Sequence, residues 1–119
     1  VSKYKLSVGA VIEVPVVLKI TGRGGKVEEH KFTWHADRLG TESFAAEMRE
    51  GLTVVDFLAR HGKSWTGQKL VLEDDGTPAT YSEDALRFLC EIPFAPGVIF
   101  ESYQEHIFVA RGVAGAAKN

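Results

Sequence analysis

The chain has 119 residues, 45% of them apolar and 25% charged, with 14 basic residues against 16 acidic ones and a formal charge of -2. That is the balance of a globular protein with one core of its own, and it excludes a disordered chain. Charges of both signs alternate along the sequence, which excludes the broad basic face of a nucleic-acid binder, so nucleic acid is not an expected partner.

From Tyr4 to Ile20 the apolar residues recur with period two, first at Tyr4, Leu6 and Val8 and then at Ile12, Val14, Val16, Leu18 and Ile20. Such alternation predicts two strands with one buried face each, separated near Gly9 and Ala10. Pro15 has no N–H to give a sheet ladder, so the second strand is expected to bend there or to lie at the sheet edge. Thr21 to Gly25 reads as a turn, and the alternation resumes from Lys26 to Ala36 with Phe32, Trp34 and Ala36 on one face. Two such runs joined by a glycine-rich loop predict an antiparallel hairpin. A phosphate cradle at Gly22 to Gly25 would instead require the loop to open a helix, and here a strand follows.

The four histidines do not form a metal-ligand pattern. His30 and His35 are separated by an odd number of positions, which puts them on opposite faces of a strand. His61 and His106 fall in different expected helices, and all four are expected as solvated or hydrogen-bonded surface groups. No metal and no cofactor is expected.

After Asp37 the period changes. Thr41 or Ser43 is expected to cap a helix running through Arg49, with Phe44 and Met48 on one face and Gly51 as its stop. Thr53, with Asp56 three positions on, has the form of a capping box for a second helix that Gly62 ends. Trp65, between Ser64 and Gly67, is expected to plug the core at a chain reversal. Leu70, Val71 and Leu72 predict one brief strand, and Glu73 to Gly76 a turn rather than a calcium loop, since the alternating oxygen ligands of such a loop are missing.

Ser82 caps a third expected helix, which has Glu83 and Asp84 in its first turn and Leu86, Leu89 and Cys90 on its inner face, and Pro93 ends it. Cys90, the one cysteine, excludes an intramolecular disulfide and a cysteine-based zinc site, and its apolar surroundings mark it as a small core residue. Pro96 opens a fourth helix, expected to reach about Arg111 with Val98, Ile99, Phe100, Tyr103, Ile107 and Phe108 as its apolar stripe. Gly112 to Asn119 are expected to fray. The whole predicts a single α+β domain: a small antiparallel β-sheet from residues 1–36, then about four short helices within residues 37–111. No stretch nears the roughly 20 apolar residues of a membrane span, and no signal-peptide layout is present, so a cytoplasmic protein without membrane contact is expected.

One further pattern covers most of the chain. Trp65-x-Gly67, Leu70-Val71, Asp75-Gly76-x-Pro78, Tyr81 before Ser82-Glu83-x-Ala85-Leu86, and an apolar helix with Phe100 and Tyr103 before a close on Lys118-Asn119 together resemble the tail assembly chaperones of long-tailed phages and prophages. The alternating N-terminal strands and Asp37-Arg38-Leu39 before an acidic helix are similar too. The resemblance implies a non-enzymatic factor in the bacterial host cytoplasm. Such factors bind the long helical tape measure protein and keep it soluble while tail tube subunits polymerise around it, and family members often have a longer, frameshifted form. It supplies no catalytic residues.

A client helix needs an apolar surface, and self-association would multiply weak contacts, so a homo-oligomer is one expectation. Phe44, Met48, Ile99, Phe100, Tyr103, Ile107 and Phe108 are the candidate partner-binding residues, the alternative being that they complete the core. The competing function is a structural minor tail or tube-associated virion protein, which the β-rich first third would suit.

Overall fold

The computed structural model describes residues 3–5 and 7–108. In chain order these form strand β1 (Val11–Thr21), a single 3-10 turn (Arg23–Gly25), strand β2 (Val27–Asp37), helices α1 (Thr41–Glu50) and α2 (Val54–His61), strand β3 (Gly62–Thr66), and helices α3 (Glu83–Leu89) and α4 (Ala95–Ile107). The fold is α+β, an antiparallel sheet of order β1-β2-β3 with four helices.

Alternation along β1 is carried through in full. Ile12, Val14, Val16 and Leu18 are buried, while Val11, Glu13, Pro15, Val17 and Lys19 are exposed. Pairing of Ile12 with Ala36, Val14 with Trp34 and Val16 with Phe32 puts the apolar residues of both strands on one face. Helix α4 packs across β1, and α2 packs against both α3 and α4. Trp34, Phe57, Leu58, Leu86, Leu89, Ile99 and Tyr103 are fully buried in the resulting core. Each contributes about 1.5–3 kcal/mol relative to exposure. Pro15 lies on the edge strand, as its missing N–H requires.

Several sequence expectations are corrected. Residues 3–5 and 7–10 form no strand, and Tyr4 and Val8 are exposed. Three alternating residues followed by Gly9 do not add a strand, and the outer edge of β1 is left unpaired among the described residues. Leu6 lies outside the described residues. The strand between the second and third helices is Gly62–Thr66, not Leu70 to Leu72, which makes only a bridge from Leu72 to Pro78. The buried side chain of Gln68 does the ladder's work for that segment. Its Oε1 accepts from the N–H of Leu70 and Val71, and its Nε2 donates to the carbonyls of Val71 and Ala79.

Helix ends differ in detail as well. Gly40, not Thr41 or Ser43, is the N-cap of α1, with no side-chain cap, and Gly51 closes the helix in the left-handed conformation. Thr53 Oγ1 accepts from the Asp56 N–H at 3.1 Å, but the Asp56 carboxylate turns to Arg87 at 3.0 Å, so only half of the capping box forms. Ser82 accepts from the Ala85 N–H, and Pro96 sits in the first turn of α4, one position after Ala95. Helix α4 ends at Ile107 with Phe108 already extended; residues 109–119, including the expected end of this helix and the expected frayed tail, lie outside the described residues.

Gly62 opens β3 where three groups converge. A Cβ there would collide with Tyr81 Oη, lie 2.9 Å from Trp34 Nε1 and 3.1 Å from the Leu58 carbonyl oxygen. Trp34 Nε1 and Tyr81 Oη are both buried over this glycine and lie against each other, the indole N–H easing the phenol's burial without a hydrogen bond of full geometry. Trp65 is a partly buried anchor: its indole N–H donates to the Ala79 carbonyl at 3.1 Å, and its ring meets Phe32 and Tyr81 edge-on.

Candidate functional site: an apolar groove between the first and last helices

A row of aromatic rings leads from the core to the surface. Tyr103 packs edge-on against Trp34 and Phe57, Phe57 against Phe100, and Phe100 lies stacked on Phe44, whose ring in turn meets Phe108 edge-on at 5.4 Å between centroids. Edge-on and offset pairs of this kind add about 0.5–1.5 kcal/mol each beyond burial, so the row ties the outer rings to the core. At its outer end Leu39, Gly40, Thr41, Phe44, Ala45, Ile107 and Phe108 line an apolar pocket of about 180 Å³.

The candidate partner-binding residues therefore divide. Ile99 and Tyr103 are fully buried and belong to the core, not to a docking face. Their side of α4 faces β1 and the second helix, and the Tyr103 hydroxyl donates to the Asp37 carbonyl at 2.7 Å. Burial pushes the Tyr103 phenol up to about 12. Phe100, Phe44 and Ile107 are half-buried, Met48 is 40% exposed, and Phe108 is 52% exposed. Phe44, Ile107 and Phe108 meet at the pocket. The sequence pattern placed Leu39 and Ala45 near neither helix face with any emphasis, because neither belongs to an apolar repeat.

The helix that carries Phe44 is also held by a polar network that periodicity did not reveal. His61, expected at the surface, is buried, with Nδ1 3.1 Å from Asp37 Oδ2 and Nε2 2.9 Å from Glu47 Oε1. Carboxylates only accept, so both bonds form together only when both ring nitrogens carry hydrogen. Arg60 closes the network through Glu47 and Glu50 at 3.3 and 3.2 Å, and its hydrogen bond holds the Glu50 carboxyl below its ordinary range. Lys63 approaches Asp37 at 3.6 Å. The end of β2, the helix α1 that carries Phe44, and α2 are thus tied together by charge.

The two carboxylates lie against different nitrogens of the His61 ring, an arrangement for bridging elements rather than for converging on an ion. No group of three or more His, Cys, Asp or Glu side chains is placed to hold a metal among the described residues. His30 lies 3.4 Å from Glu28, His35 3.0 Å from Thr66 Oγ1, and His106 Nδ1–H donates to the Ser102 carbonyl. Burial pushes the Cys90 thiol up to about 11, the behaviour of a packed thiol rather than a nucleophile.

No family model, curated protein or solved structure matches the chain. Among the described residues no helix is long and apolar enough to cross a membrane.

Proposed function

We propose that this protein is a phage or prophage tail assembly chaperone. It acts in the host cytoplasm by binding, not by chemistry: it holds an amphipathic segment of the tape measure protein, and thereby assists assembly of the tail tube protein around it. The observation that carries this reading is the apolar pocket of Leu39, Phe44, Ala45, Ile107 and Phe108, backed by the aromatic row and left partly open at Phe108. A groove of this kind accepts one or two apolar anchors of a client helix. Both nitrogens of His61 are committed to carboxylates, and the Cys90 thiol is pushed up to about 11, so neither side chain is poised as a base or nucleophile. Self-association would add avidity to a contact of this small size.

Co-expression with a candidate tape measure protein tests the proposal. The client should become soluble and copurify with this chain, and the chain should be missing from purified virions. Abundant incorporation into virions would favour the reading as a minor tail or tube-associated protein instead.

A further inference from the structure

We infer that the α3–α4 corner is a second docking surface, built around Phe88 and Phe94 and suited to a basic amphipathic helix. Phe94 is the N-cap of α4, and at φ 70° it is the one non-glycine residue with positive φ among the described residues. That conformation is disfavoured for any residue with a Cβ and is usually given to glycine or asparagine. Yet a phenylalanine stands there, 87% exposed, and Phe88 six positions earlier is 66% exposed. Burial does not hold Phe94 in place, and the backbone would be easier to form without its side chain.

The surroundings specify the partner. Phe88 lies on one face of α3 and its following turn with Asp84 and Glu91, at helical spacing, and all three are exposed. Phe94 leads into α4, where Gly97 and Glu101 are also exposed, and space around Gly97 is open enough that an added Cβ would meet nothing within 4 Å. Asp84, Glu91 and Glu101 have no cationic partner among the described residues. The cation of this corner, Arg87, is already held by Glu83 at 2.9 Å and Asp56 at 3.0 Å. Two protruding rings six positions apart, with exposed carboxylates on the same two helices and an open glycine in the first turn of α4, match a helix with an apolar stripe and lysine or arginine flanks. An anionic membrane is disfavoured by the same three carboxylates. Helix α4 has 13 residues, so this corner stands roughly 20 Å from the Phe108 groove along the helix axis. The inference does not depend on the proposed function.

The test uses the full chain and a fluorescent leucine-lysine peptide of about five helical turns, with a leucine-glutamate peptide as its counterpart. By anisotropy the lysine peptide should bind, the glutamate peptide should not, and added salt should weaken the binding. Phe94→Gly should raise the melting temperature, because it removes the left-handed strain, while weakening peptide binding at least about tenfold. Phe88→Ser should weaken binding without lowering the melting temperature. The inference is overturned if the lysine peptide does not bind, if the two peptides bind alike, or if Phe94→Gly leaves affinity unchanged. It is equally overturned if Phe94→Gly removes only partition onto phosphatidylcholine vesicles, or only self-association in sedimentation.

Discussion

Nε2 of His61 lies 2.9 Å from Oε1 of Glu47, and through this contact the buried end of α2 holds the helix that carries Phe44. The opposite nitrogen holds Asp37 at the end of β2. Removing the ring leaves two carboxylates that only partly find other partners, in Arg60 and Lys63. His61→Ala should therefore destabilise the protein by about 2–4 kcal/mol. Glutamine, whose amide nitrogen can still donate to one of the two carboxylates, should cost less. Urea unfolding of the two variants against wild type checks the order.

Tyr103 predicts an alkaline limit to stability. Its phenol rises from an ordinary 10.0 to about 12 because it is buried. The unfolded chain then loses this proton at lower pH than the folded one. The contribution is complete below pH 10 and is lost as pH rises through about 12, amounting to roughly 2–3 kcal/mol at 1.4 kcal/mol per pH unit. Cys90, raised from 9.0 to about 11, acts in the same direction from a lower starting pH. Unfolding free energy measured from pH 8 upward should fall, and Tyr103→Phe should flatten the part of the curve above pH 10, at a cost near neutral pH of about 1 kcal/mol for the lost bond to Asp37.

Gly62 predicts a coupled pair. Gly62→Ala drives a Cβ into Tyr81 Oη and against the Leu58 carbonyl, and should cost about 1–3 kcal/mol. Tyr81→Phe removes the hydroxyl that the Cβ would strike, at the loss of a weak contact with the Trp34 indole N–H, and should change stability by less than about 1 kcal/mol. Combined, the two changes should cost clearly less than Gly62→Ala alone. A thermal denaturation cycle over the four proteins measures this coupling.

The parts of the fold that were legible in the sequence are those written as periodic burial. Ile12 to Leu18 and Phe32 to Ala36 alternate because one sheet face is buried, and the helix carrying Leu86 and Leu89 is announced by the Ser82 cap and stopped before Pro93. Strand β3 was not legible, because Gly62-Lys63-Ser64-Trp65-Thr66 has one large apolar residue and takes its place by pairing with Thr33 to Ala36. Nor was the role of Gln68, since a side chain standing in for a strand ladder leaves no repeat. Of the candidate face, the apolar stripe of α4 was visible but not its division. Whether Ile99 or Phe108 faces β1 depends on how α4 is rotated over the sheet, and tertiary packing sets that rotation. The His61 network escaped for a related reason: Asp37, Glu47 and His61 are far apart in the chain and meet only once β2, α1 and α2 are assembled.

The central claim is that the groove ending at Phe108 binds a client helix, and Phe108→Asp tests it most directly. The side chain is 52% exposed but its ring pairs with Phe44, so the substitution should cost about 0.5–1.5 kcal/mol, a few degrees of melting temperature, and leave the protein folded. Co-expressed with the tape measure protein, wild type should keep the client soluble and copurify with it, and Phe108→Asp should reduce the copurified client at least about tenfold. Equal recovery of the client with both proteins, or a client that stays insoluble beside the wild type, would contradict the account.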